Sequence, residues 1–193
     1  RRYRFQIDGR GKRCAMIDGN FYTLIRERIA NATAAPFLTI PDGRSWTFGD
    51  IDRLSAKMAA ALTAAGAKPG DRIAAQIEKS AENVALYLAS LRGGFVYLPL
   101  NTAYTPKEIA YFIADAEPAI FVCDPSLAAE APGAARVFTL SASGEGSLMD
   151  SAKAQAPLDA TAPRAVDDLA AILYTSGTTG RSKCAMLTHE NLA

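Results

Sequence analysis

Residues 169–183 read Leu-Ala-Ala-Ile-Leu-Tyr-Thr-Ser-Gly-Thr-Thr-Gly-Arg-Ser-Lys, and they decide which fold and chemistry this chain is expected to have. The apolar first part, up to Tyr174, predicts a buried strand. The second part is rich in glycine and hydroxyl side chains and ends in Lys183. Glycine lets the backbone approach a bulky anion, while hydroxyls and a lysine donate to phosphate oxygens. A loop of this composition after a buried strand is a recurrent way to hold the phosphate chain of a nucleotide.

Two common phosphate-binding motifs do not fit this loop. The nucleotide-triphosphatase pattern requires Gly-Lys-Ser/Thr, but here the lysine follows Ser182, and Gly177 and Gly180 are only three apart. The Gly-x-Gly-x-x-Gly pattern is absent as well. A flexible surface linker is the remaining alternative, although linkers seldom follow a buried strand.

Upstream of the loop, predicted strands alternate with predicted helices. Strands are expected at 72–77, 95–98, 119–123 and 136–140, and helices at 47–66, at 80–92, from Thr105 onward and at 147–153. Thr47 and the Thr105-Pro-Lys-Glu108 capping box mark two helix starts. This alternation predicts an α/β fold with a mostly parallel, doubly wound sheet and right-handed crossovers. The Ala-, Ser-, Gly- and Pro-rich segment 141–164 is expected to be a surface connection.

Composition narrows the partners. The 193 residues carry a net charge of +1 and are 49% hydrophobic. Nothing in this balance suggests nucleic acid or an anionic membrane surface, and no apolar stretch is long enough to span a bilayer. The three cysteines, at positions 14, 123 and 184, have neither metal-site nor disulfide-framework spacing, which favours a reducing compartment such as the cytoplasm.

The chain begins with Arg1 rather than methionine. Residues 1–15 are rich in Arg, Lys and Gly and are interpreted as an extension of uncertain origin, with the folded part at 16–193. A mitochondrial transit peptide is the alternative, but the segment lacks serine and a clear amphipathic pattern.

The loop resembles, almost residue for residue, the phosphate loop of the adenylate-forming enzymes, whose pattern is Tyr/Thr-Ser/Thr-Ser-Gly-Thr-Thr-Gly-x-Pro/Ser-Lys-Gly. The turn Lys68-Pro-Gly-Asp71 and the segment 94–104, Gly-Phe-Val-Tyr-Leu-Pro-Leu-Asn-Thr-Ala-Tyr, also resemble this family. The resemblance covers about residues 21–193. Within the family, the wording of 75–80, 97–104 and 168–183 is similar to that of malonyl-CoA synthetases.

The resemblance implies a two-step acid–thiol ligase. A carboxylate, here malonate, attacks the α-phosphate of ATP to give an acyl-adenylate and pyrophosphate, and the CoA thiol then displaces AMP. ATP, Mg²⁺ and CoA are the implied substrates and cofactors, and the implied partners are small molecules only. The residues implied to close over the β- and γ-phosphates are Thr175, Ser176, Gly177, Thr178, Thr179, Gly180 and Lys183.

The same resemblance places the adenine-binding motif, the ribose-binding Asp, the Mg²⁺-binding Glu and the late catalytic Lys after Ala193. No catalytic residue and no metal ligand is therefore assigned here, and the chain is expected to be a truncated N-terminal portion of the fold that is inactive alone. Three alternatives stay open: an inactive remnant, an isolated phosphate-binding fragment, and another acyl-CoA ligase or adenylation domain.

Two residues near the loop need separate expectations. Cys184 stands where the family usually has glycine, and we expect a small buried residue there rather than a reactive thiol. His189 lies in Thr188-His-Glu-Asn-Leu192, which matches the family pattern Ser/Thr-His-x-Asn-Leu. We expect this histidine to be structural, at a helix start, rather than a general base.

Overall fold

The computed structural model describes residues 18–41, 43–131, 136–175 and 183–193. The helices are α1 (Phe21–Ile29), α2 (Phe48–Ala64), α3 (Ala81–Arg92), α4 (Pro106–Ala116), α5 (Ser147–Ala154) and α6 (His189–Leu192). The strands are β1 (Pro36–Thr39), β2 (Ser45–Thr47), β3 (Arg72–Gln76), β4 (Val96–Pro99), β5 (Ile120–Cys123), β6 (Arg136–Thr139), β7 (Leu169–Thr175) and β8 (Lys183–Thr188). A 3₁₀ turn covers Pro125–Glu130.

Six strands form the main sheet in the order β6-β5-β3-β4-β7-β8. All neighbouring pairs are parallel except β7 and β8, which pair antiparallel at the edge. The predicted α/β fold with a mostly parallel sheet is therefore confirmed. The separate β1–β2 hairpin is antiparallel.

Helices cover both faces of this sheet, as expected for a doubly wound fold. One face packs against α2, α3 and α5, in a core built from Met58, Leu62, Ile73, Leu86 and Leu148. The other face packs against α4, in a core built from Ala74, Leu98, Ile109, Phe112 and Phe121. Alternate residues of β3 point to opposite faces, so that Ile73 and Ala74 belong to different cores.

Local signals place the helix starts where the sequence predicts them. Thr47 and Asp50 form a reciprocal capping box, in which the Asp50 N–H donates to the Thr47 hydroxyl at 3.1 Å. Thr105 and Glu108 form the same arrangement at the start of α4. Gly66 follows the end of α2 and has a φ of 103°. Glycine is favoured at this position because a left-handed residue after a helix is strained for other side chains. The predicted helix near 147–153 is also present.

Helix α1, the β1–β2 hairpin, the 3₁₀ turn and the strand β8 were not predicted. Strand β8 depends on backbone pairing with β7 and has little apolar alternation of its own, which leaves no local pattern to detect.

Within the described ranges, no helix is both long and apolar enough to cross a bilayer.

Candidate functional site

The candidate site is the connection between β7 and β8. Thr175 and Lys183 are the last paired residues of the two strands, and the Thr175 hydroxyl donates to the Lys183 carbonyl oxygen over 3.4 Å. The structure therefore brings together the two ends of the predicted phosphate loop. Ser176, Gly177, Thr178, Thr179 and Gly180 lie outside the described residues, so their assignment stays a prediction.

Strand β7 carries the loop out of the protein core. Its residues Ala170, Ala171 and Ile172 are buried, whereas Thr175 at its carboxyl end is exposed. In open α/β sheets, ligands bind outside the carboxyl ends of the parallel strands, which is where Thr175 lies. Lys183 is exposed beside it and belongs to none of the ion pairs within the described ranges.

Tyr174 ties the end of β7 to helix α4. Its hydroxyl donates to the Asp115 carboxylate at 2.5 Å, and its ring lies 4.4 Å from that of Phe112, centroid to centroid. Partial burial and the Asp115 carboxylate both raise the pKa of Tyr174. The phenol therefore stays protonated and donates its hydrogen. Sequence reasoning missed Asp115, since nothing in α4 marks this residue as a partner of the loop.

Cys184 differs from the expectation that it is buried. Cys184 is exposed on β8, where it pairs with Tyr174 of β7. Met186 on the same strand is also exposed. The expectation was wrong because β8 lies at the edge of the sheet, beyond the helices that cover the central strands. Local desolvation and the Asp115 charge raise the pKa of Cys184, which disfavours the thiolate needed by a reactive cysteine.

The structural role expected for His189 is confirmed. This residue is fully buried at the start of α6, and its Nδ1 accepts the backbone N–H of Phe21 over 3.1 Å. The pKa of His189 is lowered, mainly by burial and secondly by the nearby Arg164 guanidinium. A neutral imidazole that joins α1 to α6 is a packing element rather than a general base.

The described residues contain no cluster typical of a metal centre. None of them forms a group of three or more His, Cys, Asp or Glu side chains suited to a metal ion. The best-formed cavity, about 210 Å³, is lined almost entirely by apolar side chains of α1, α2, α3 and β1, together with Asp52. No residue of β7 or β8 lines it. The described part of the site therefore offers a hydroxyl and an ammonium group where β7 and β8 end their pairing.

Comparisons with known proteins agree with this geometry. The profile of the family described as AMP-binding enzyme matches residues 25–193. Among solved structures, ATP-bound MatB from Rhodopseudomonas palustris is 47% identical and superposes with a TM-score of 0.86, covering 91% of this chain and 36% of MatB.

The curated relatives that match this chain carry the names of more than one kind of enzyme. The 4-coumarate–CoA ligase 5 of Oryza sativa subsp. japonica is 34% identical over 155 residues, which are 78% of this chain and 29% of the ligase. Tyrocidine synthase 1 of Brevibacillus parabrevis is 30% identical over 154 residues, 79% of this chain and 14% of the synthase. The chain thus spans 36% or less of the length of each of these three proteins. From its sheet, its hairpin ends and these matches, we conclude that the chain belongs to the AMP-binding enzyme family of adenylate-forming proteins.

Proposed function

We propose that the protein containing this chain is an ATP-dependent acid–thiol ligase that converts malonate to an acyl-adenylate and then to a CoA thioester. The observation that carries the proposal is the pairing of Thr175 with Lys183 at the carboxyl end of a parallel strand. This pairing presents a hydroxyl and a positive charge together at the edge of the sheet where α/β proteins bind ligands.

The chain's own residues supply donors for phosphate oxygens. In the first step, the carboxylate oxygen bonds to the α-phosphorus and pyrophosphate leaves, so negative charge grows on the departing oxygens. Fixed donors that meet this charge lower the barrier without reorganising during the reaction. We expect Lys183 and the Thr175 hydroxyl to meet this charge, and the backbone of residues 176–180 to complete the cradle.

Magnesium supplies further neutralisation of the phosphate charge when it is bound. The Thr175 hydroxyl and the Lys183 ammonium group are donors suited to phosphate oxygens. This part of the chain accordingly contributes hydroxyl, ammonium and backbone donors.

The proposal that malonate is the substrate rests on fewer observations than the proposal of ligase chemistry. It rests on the similarity of segments 75–80, 97–104 and 168–183 to malonyl-CoA synthetases, and it is supported by the 47% identity to MatB. The coumarate ligase, which takes a different acid, is only 34% identical.

The test is carboxylate-dependent exchange of labelled pyrophosphate into ATP, measured on the protein expressed from its whole reading frame. Malonate, acetate and 4-coumarate are compared, and thioester formation follows on addition of CoA. We expect exchange with malonate to exceed that with the other acids. Preference for another acid would replace malonate while keeping the ligase, whereas no exchange with any acid would favour an inactive remnant or a phosphate-binding fragment.

A further inference from the structure

Helix α4 contacts the strand that leads into the phosphate loop. The Tyr174 hydroxyl donates to Asp115 Oδ2 at 2.5 Å, and the Tyr174 ring packs against buried Phe112 with the ring planes 36° apart. A single residue, Thr175, separates Tyr174 from the loop residues 176–182. The contact joins residues 59 positions apart in sequence.

We propose that Tyr174 and Asp115 form an anchor that fixes the base of the phosphate loop, with Asp115 acting as a positioning residue for ATP. The proposal rests on the proposed function, since it concerns the same loop. It goes further by giving a role in nucleotide binding to a helix that lies outside the loop motif.

The strand register explains how the anchor can act on both ends of the loop. Tyr174 pairs with Cys184, and the next pair along the hairpin is Thr175 with Lys183. Backbone hydrogen bonds make neighbouring pairs move together, so a displacement of Tyr174 also displaces Lys183. A shift of about 1 Å in a positioning group is enough to cost a large factor in rate.

The charge of Asp115 indicates which of its properties matters. A carboxylate whose field reaches both Tyr174 and Cys184 disfavours an anion bound at the same hairpin. The useful property is therefore the oxygen acceptor and not the negative charge. An asparagine at position 115 keeps an acceptor for the Tyr174 hydroxyl and removes the charge.

A role in packing alone makes a different prediction. If the contact only holds α4 on the sheet, its loss lowers the Tm and affects ATP and carboxylate equally. The anchor predicts that loss of the Tyr174–Asp115 contact weakens the binding of ATP and not that of the carboxylate substrate. The reason is that the proposed ligand of the loop is the phosphate chain of ATP.

The experiment compares five variants of the whole protein: Tyr174→Phe, Asp115→Ala, the double variant that combines these two, Asp115→Asn and, as the matched control, Tyr111→Phe. Tyr111 lies on the same helix, is exposed, and also contacts the Phe112 ring, at 5.4 Å between centroids. The measurements are the Kd for ATP by calorimetry without carboxylate, the KM values for ATP and malonate in pyrophosphate exchange, and the Tm.

We expect Tyr174→Phe and Asp115→Ala each to weaken ATP binding by up to about tenfold, the scale of one lost hydrogen bond. The double variant is expected to be no worse than either single one, because both remove the same contact. Asp115→Asn and Tyr111→Phe are expected to remain within about twofold of the unaltered protein, since both keep the contact. The KM for malonate is expected to stay unchanged throughout.

Unchanged ATP binding in Tyr174→Phe and Asp115→Ala would overturn the anchor while leaving the proposed function intact. An equal rise in the KM of both substrates would overturn it in favour of packing. Failure of the unaltered protein to bind ATP would overturn the proposed function and the anchor together. If it binds ATP without carboxylate-dependent exchange, the ligase proposal fails, and the Kd values alone decide the anchor.

Discussion

Removal of the Asp52 carboxylate is expected to destabilise the protein strongly, because it leaves a buried cation without its counter-ion. The Arg92 side chain is only 1% exposed, and its Nη2 donates to Asp52 Oδ1 at 2.5 Å. The Tyr22 hydroxyl also bonds to Asp52, at 2.8 Å. This network joins α1, α2 and α3 beneath the surface, so Asp52→Ala removes the acceptor shared by two buried donors.

The magnitude follows from these contacts. Two hydrogen bonds to a charged group are lost, each contributing about 1.5–3 kcal/mol. Removal of one partner of a buried ion pair costs about 3–5 kcal/mol. Because the Asp52 side chain is one-quarter exposed, water can partly replace it, and Arg92 keeps its 2.7 Å bond to the Leu158 carbonyl. We therefore expect a loss of roughly 3 kcal/mol in the free energy of unfolding, at the lower end of the range for buried pairs.

The assay is urea unfolding at neutral pH, with the free energy taken from linear extrapolation. Arg53→Ala is the matched control: Arg53 bonds to Asp50 at 2.6 Å, but both side chains are exposed. Exposed pairs contribute little, so this control is expected to change stability only slightly. Equal effects of Asp52→Ala and Arg53→Ala would refute the reasoning, because the two pairs have similar N···O distances and differ in burial.

Two further predictions concern stability. Because the folded protein holds the pKa of His189 below its ordinary value of about 6.5, the unfolded chain binds more protons, and the free energy of unfolding should fall as the pH drops below about 6.5 until the lowered pKa is reached. His189→Asn keeps an acceptor for the Phe21 N–H and does not titrate. The free energy of unfolding of this variant, measured in urea at pH 8 and pH 5.5, should therefore lose this pH dependence. An unchanged pH slope would contradict the role given to His189. Leu62 is fully buried between α2 and the sheet. Leu62→Ala is expected to lower the free energy of unfolding by about 2–5 kcal/mol, because it leaves a cavity. Leu62→Met leaves none and is expected to lower it by less than about 1.5 kcal/mol. Similar urea midpoints for these two variants would show that the site does not depend on filled volume.

The sequence predicts those parts of the fold that local signals determine. Thr47 and Thr105 begin their helices through contacts with residues three positions away, so their neighbours in sequence are also their partners. The composition of residues 175–183 likewise predicts phosphate binding from local residues alone, and this assignment stays a prediction.

What the sequence does not predict depends on distant partners. Strand β8 exists because β7 offers it a backbone edge, and Cys184 is exposed because this pairing leaves it outside the helical layers. The contact of Asp115 with Tyr174 requires α4 to cross the sheet at one position, which no pattern of spacing in α4 reveals.

The most direct test of the central claim is the effect of Lys183→Ala on malonate-dependent pyrophosphate exchange by the whole protein. Lys68→Ala is the control, since Lys68 is also exposed but precedes β3, and therefore lies at the amino ends of the parallel strands rather than at their carboxyl ends. If the hairpin between β7 and β8 holds the phosphates of ATP, Lys183→Ala slows adenylation while the KM for malonate and the Lys68→Ala variant stay near the unaltered values. Unchanged turnover in Lys183→Ala would contradict the assignment of this loop to ATP.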